Sequence, residues 1–190
     1  MSINPVEIPT GAVRYNTDSN KMEVYIGSTW MEVAVSSPNL DGGARGIFTG
    51  GATPSAVNTI DFVTISTAGD ATDFGDMTAT YKGGAATSNN TRAIHAGGNE
   101  PSFVTDMEFV TIATTGGGTD FGDLTEARGY HASLSNSVRG LNAGGYDGSS
   151  ALNTIDFVII ATTGNAQDFG DLLSINYGNS GSSDSHGGLS

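Results

Sequence analysis

The chain has 190 residues, of which 28 are glycine and none is cysteine, and its 20 acidic against 7 basic residues give a formal net charge of −13. That charge opposes binding to a phosphate backbone, and the lack of cysteine excludes a disulfide framework or a thiolate metal site. Residues 1–7 lack the basic and apolar regions of a signal peptide, and no apolar run approaches the ~18–20 residues of a membrane-spanning helix.

Residues 1–33 form a first region. Between Gly11 and Trp30 the apolar residues alternate with polar ones, as in Met22-Glu23-Val24-Tyr25-Ile26. Alternation of this kind reads as two or three short strands. Turns are expected at Thr17-Asp18-Ser19-Asn20 and at Gly27-Ser28-Thr29. A hairpin of this size is marginal alone in water, so it is expected to pack on the rest of the chain or on a partner. Residues 34–44, with Pro38, Gly42 and Gly43, read as a linker.

From residue 45 the chain repeats itself at a period of about 47 residues. Arg45, Arg92 and Arg139 are spaced by 47, as are the pairs Gly50-Gly51, Gly97-Gly98 and Gly144-Gly145. Asp73-Phe74-Gly75-Asp76 returns after 47 at Asp120-Phe121-Gly122-Asp123 and after 48 at Asp168-Phe169-Gly170-Asp171, with one residue added near Ser149-Ser150. The units are 45–91, 92–138 and 139–190. Each reads as four short strands: one entering the glycine pair, a long β-branched and aromatic strand, a strand carrying the Asp-Phe-Gly-Asp aromatic, and a Ser/Ala-rich strand.

The phase of the repeat has a further consequence. If each sheet consists of a Ser/Ala-rich strand and the three strands after it, the sheet that starts at Arg45 lacks a member. Residues 174–185 then form a spare strand, expected to complete the first sheet and close the array, since closure removes exposed edges.

Residues 43–190 resemble the kelch repeat, in the glycine pair, the long strand, the glycine-containing turn and the aromatic that follows. Phe74, Phe121 and Phe169 stand where that repeat usually has tryptophan, and Arg128 matches an arginine that Tyr81 and Asn176 replace in the sister units. The first region is similar to a segment of bacteriophage tail-fibre and appendage proteins: Gly11, Arg14-Tyr15-Asn16, a polar turn, Met22-Glu23-Val24-Tyr25, Gly27 and Trp30. Together the two regions resemble kelch-like virion and tail-fibre proteins of marine and cyanobacterial phages. The resemblance implies an all-β, prism-like or propeller-like fold of three four-stranded repeats behind an N-terminal β segment. It implies a virion structural protein, assembled in the host cytoplasm as part of a tail fibre, a capsid fibre or its adaptor. Expected partners are other virion proteins, further copies of the chain in a trimer joined through the first region, and a host surface glycan or protein, with no nucleic acid and no membrane insertion. The alternatives are a lectin-like carbohydrate-binding module and a glycan-active enzyme.

No catalytic, cofactor-binding or metal-binding residue is assigned. The Asp-Phe-Gly triplets recur at the repeat period, which suits turn-forming aspartates better than a magnesium motif or a calcium loop. Arg45, Arg92 and Arg139 lie in register and are expected to pair with the Asp-Phe-Gly-Asp carboxylates, the alternative being a ring of arginines that binds an anion. His95, His131 and His186 are isolated, and His95 replaces Phe48 and Asn142 of the sister units. Trp30, Tyr15 and Tyr25 read equally as hairpin packing and as interface anchors.

Overall fold

The structure, a computed structural model, describes residues 8–17, 21–33 and 45–183. The expected turn at 17–20 lies mostly outside these residues, and the linker 34–44 and His186 lie wholly outside them. The fold is all-β, with 14 strands in four small antiparallel sheets and no helix among the described residues. The chain divides into two compact units, Met1–Pro38 and Asn39–Ser190.

The first unit is a three-stranded meander of β1 (Val13–Asn16), β2 (Lys21–Ile26) and β3 (Thr29–Glu32). Gly27 and Ser28 have φ of +56° and +75° and form the two-residue turn between β2 and β3, the twist a tight hairpin needs. The pairings Arg14↔Glu23↔Glu32 and Val13↔Val24↔Met31 sort the side chains into two faces. On one face Arg14 lies over the Trp30 ring at 4.2 Å and pairs with Glu23 at 2.7 Å, and Tyr25 packs on Trp30 with centroids 5.3 Å apart. The other face is apolar, and its Val13, Met22, Ile26 and Met31 are exposed.

The second unit contains three like sheets. The first is β4 (Arg45–Thr49), β5 (Val57–Thr64) and β6 (Thr72–Tyr81). The second is β7 (Ala85–Ser88), β8 (Arg92–Ala96), β9 (Asp106–Thr111) and β10 (Thr119–Asp123). The third is β11 (Ala132–Ser135), β12 (Arg139–Ala143), β13 (Leu152–Ile159) and β14 (Gln167–Asn176). Each Ser/Ala-rich strand joins the sheet that follows it, as the repeat phase requires. Register repeats as well: Arg45↔Thr64, Arg92↔Thr111 and Arg139↔Ile159 are equivalent pairs.

The sheets stack face to face in chain order. Ile60, Phe74, Met77 and Tyr81 of the first sheet meet Ala93 and Val110 of the second in one buried cluster. Ile94, Met107, Phe121 and Leu124 of the second meet Val158, with Ile160 just beyond β13, in another. Both faces of the middle sheet are covered, which explains why its strands are apolar on both sides.

The expected closure of the first sheet by residues 174–185 is not found among the described residues. β14 takes residues up to Asn176, and the stretch after it lies on the third sheet: Gly178 N–H donates to Tyr130 O at 2.7 Å, and Ser183 Oγ to Ser135 O at 2.7 Å. The reason is the order of the stack. The second sheet separates the first from the third, so a tail leaving the third sheet has no short path to β4.

Candidate functional site

Each Asp-Phe-Gly-Asp run is a β-bulge. The pairing steps from Asp120↔Glu108 to Gly122↔Met107, leaving Phe121 as the extra residue, and the same step omits Phe74 and Phe169. The glycine after each phenylalanine has φ of +146°, +135° or +135°, a region that residues with a side chain rarely adopt. The bulge drives Phe74 and Phe121 into the two clusters, edge-on to Phe62 and Phe109. Asp120 and Asp168 accept the N–H of Gly122 and Gly170 at 3.2 and 3.1 Å, the turn-forming role expected of them. Among the described residues no group of three or more His, Asp or Glu is arranged to hold a metal ion.

The repeat arginines do not pair with these acids. Arg45, Arg92 and Arg139 lie over Phe62, Phe109 and Phe157 at 4.6, 4.5 and 4.8 Å. From there the guanidinium of Arg45 donates to Ile112 O at 2.8 Å and that of Arg92 to Ala161 O at 2.9 Å, both on the next sheet. Stacking places the planar group across the joint between sheets, where a carbonyl, not a carboxylate, faces it.

The carboxylates that do tie sheets together belong to the long strands. Glu108 accepts Thr78 N–H at 2.9 Å and Thr78 Oγ1 at 2.5 Å from the first sheet. Asp156 accepts Thr125 N–H at 3.1 Å and Thr125 Oγ1 at 2.8 Å from the segment after β10. Asp156 also faces Arg128 at 2.7 Å, with both side chains fully buried. The signal for this role was present in the sequence as an acid at 61, 108 and 156 inside an otherwise apolar strand.

Two buried histidines flank these joints. His95 stacks on Tyr81, accepts Thr49 Oγ1 at Nδ1 and donates Nε2–H to Gly97 O at 3.2 Å. The carbonyl only accepts, which sets the tautomer. Burial holds the His95 pKa below its usual value. Burial, then the charge of Arg128, pushes His131 down to about 3. Both rings are neutral structural groups at neutral pH.

At the glycine-pair end of the sheets the side chains face outward and form a line of aromatics. Phe103 contacts Tyr130 and Tyr146, with ring centroids 6.2 and 5.7 Å apart, and Tyr146 contacts Tyr177 at 5.5 Å. Bridges Asn99↔Phe103, Gly129↔Tyr146 and Tyr146↔Ala151 hold the backbone beneath them. Tyr130 and Tyr177 are 43% and 59% exposed. Lys82 and Glu100 form an ion pair at 3.1 Å on a neighbouring loop. Phe103 and Tyr146 are half-buried, and the exposed rings of Tyr130 and Tyr177, with polar neighbours, suit stacking against the apolar face of a sugar ring or a partner's side chains. Sequence reading missed it because its four members lie in different loops and share no repeat position.

Comparison with known proteins finds no family model that matches the chain and no curated protein similar to it.

Proposed function

We propose that the chain is a structural protein of a bacteriophage particle: a component of a tail fibre, a capsid fibre or its adaptor, in which an N-terminal β segment attaches and three kelch-like repeats bind or display. The observation that carries this reading is how the repeats use their polar chemistry. Glu108, Asp156, Thr78, Thr125, Arg45 and Arg92 are engaged in joining one sheet to the next. That use leaves binding to the surface and favours a scaffold over an enzyme. The exposed apolar face of the N-terminal sheet, with Val13, Met22, Ile26 and Met31, fits a segment that docks on other virion proteins or on further copies of the chain. The test is whether the chain co-purifies with infectious particles and where cryo-electron microscopy places it. Its absence from purified particles would sink the reading.

The aromatic line favours a second reading that the first can contain: a lectin-like module that holds a host glycan. Tyr130→Ala and Tyr177→Ala should each weaken binding to a glycan array or to host cells without changing the fold. Equal binding by the wild type and both variants would remove the line from that role.

A further inference from the structure

Each joint between sheets is built from the same parts, and one set of parts is left over at each end of the stack. At the first joint the bulge carbonyls Phe74 O and Asp76 O accept Gly116 N–H and Gly118 N–H from the turn of the second sheet, both at 2.8 Å. At the second joint Phe121 O and Asp123 O accept Gly164 N–H and Ala166 N–H from the third, at 2.6 and 2.7 Å. The repeat then places Phe169 O and Asp171 O on the outer face of the third sheet, and Gly69 N–H and Ala71 N–H on the outer side of the first. Among the described residues these four groups make no such bond.

The side chains repeat the pattern. A Cβ on Gly75 or Gly122 would strike the turn of the next sheet at 2.5 Å, whereas one on Gly170 would meet nothing within 4 Å among the described residues. Phe74 and Phe121 are 3% and 2% exposed, and Phe169 is 51% exposed. Arg45 and Arg92 reach a carbonyl of the next sheet, and Arg139 has none among the described residues. On the opposite end Phe48 and Ile65 are exposed, while Ile112 and Ile160, the counterparts of Ile65, are buried.

The edges match too. Ser135 Oγ donates to Ser88 O at 2.6 Å, and Ser183 Oγ to Ser135 O at 2.7 Å. Residues 180–183 therefore stand where the Ser/Ala-rich strand of a next sheet belongs, one repeat beyond β11. Among the described residues β4, by contrast, is an edge strand. Beside it a groove lined by Arg45, Gly46 and Ile47 of β4 and by Ala86, Thr87 and Ser88 of β7 has the place of a missing strand.

We propose that two copies of the chain stack head to tail into a ring of six sheets, the third sheet of each copy on the first sheet of the other. Residues 180–183 of one copy pair with β4 of the other, in the register that sets Leu134 opposite Leu141, so that Ser182 faces Ile47. Phe169 O and Asp171 O of one copy accept Gly69 N–H and Ala71 N–H of the other, and Arg139 reaches Ile65 O. The occupant is a second copy because both unmatched ends belong to one periodic joint, and only this chain carries the complementary half of each. The number is two because rings of stacked sheets close at roughly four to eight members, and three chains would bring nine. This departs from the threefold association that the N-terminal segment suggests, and it does not depend on the place of the chain in a particle.

Light scattering on the full chain at micromolar concentration tests the assembly, with a dimer expected. A monomer, a trimer or open-ended growth would overturn it, since a head-to-tail contact that fails to close makes filaments. Phe169→Asp and Ile65→Asp each change an exposed residue on one of the two ends. Each should raise the dissociation constant by at least ~30-fold, the size of an interface hot spot, with an unchanged circular dichroism spectrum. Mixing the two variants should restore one sound joint and give a heterodimer. If the mixture stays monomeric, the head-to-tail polarity is wrong. Truncation after Tyr177 should also give a monomer. A dimer that survives it would show that β4 is covered by another segment, such as residues 34–44 of its own chain, and would overturn the strand exchange.

Discussion

The second and third sheets share strand order, register, bulge and phenylalanine pair, yet Phe121 is buried and its counterpart Phe169 is half exposed. Local sequence sets the shape of each sheet: the bulge forms at Asp168-Phe169-Gly170 whether or not anything packs on it. Burial is set by the neighbour. A repeat stack thus has interior units, whose two faces are both used, and terminal units that carry the same face without a cover.

The comparison is broken most strongly at the phenylalanines. Phe121→Ala removes a buried ring from the second cluster and should cost about 3–5 kcal/mol. Phe169→Ala in the isolated chain should cost no more than about 1–2 kcal/mol, in proportion to the smaller area it covers. Urea unfolding at low protein concentration measures both, and equal losses would mean that Phe169 is as covered as its sister. A similar contrast holds for the strand acids. Asp156→Ala takes from buried Arg128 its nearer carboxylate, leaving Glu126 at 3.6 Å, and should cost about 3–5 kcal/mol. The same change at exposed Asp61 should stay within about 0.5 kcal/mol.

Acid should act on the joints of the middle sheet. The folded-state pKa of His131 is about 3 and that of His95 is also lowered, so the unfolded chain binds more protons below the ordinary histidine pKa of 6.5. The stability that this neutrality contributes is complete above pH 6.5. It falls as the pH drops below 6.5, and for His131 goes on falling toward 3, by at most about 1.4 kcal/mol per pH unit for each ring. Melting temperature recorded from pH 7.5 to 4.5 should show the decline, and His131→Gln should flatten it.

The smallest effect separates backbone strain from stacking. Gly122→Ala and Gly170→Ala both place alanine at φ +135°, a strain of order 1–3 kcal/mol. Only at Gly122 does the new Cβ also meet the Gly164 backbone, at 2.5 Å. The difference between the two losses, in thermal unfolding at a concentration low enough to keep the chain monomeric, is the cost of prising that joint. A larger loss at Gly170 would contradict the open end.

Much of this architecture was legible in the residues. The 47-residue spacing of Arg45, Arg92 and Arg139 located three sheets, and the repeat phase allowed the grouping of each Ser/Ala-rich strand with the following sheet that the strand order then shows. What could not be read were relations across the stack. An Asp-Phe-Gly-Asp run does not announce a bulge, because the omitted partner lies on another strand. The arginines were matched with acids by charge, but stacking on Phe62, Phe109 and Phe157 holds them above a carbonyl. The tail was assigned to the first sheet because periodicity gives the phase of a strand and not the path to its neighbour. The aromatic line joins residues whose proximity only the folded loops create.

The turn that follows Tyr146 carries the one residue added between the equivalent positions of the third unit: the bridge spans Tyr146↔Ala151, against Asn99↔Phe103 in the second unit. Asp147 accepts Ser149 N–H and Ser150 N–H at 2.6 and 2.7 Å and absorbs the addition within the loop. Downstream, Ile155 still pairs with Gly170 as Met107 does with Gly122. Length can therefore vary at this rim without any cost to the frame behind it. In a gene under pressure to change what it touches, insertions would accumulate there first, beside the exposed tyrosines, while the 47-residue metre of the strands stayed fixed.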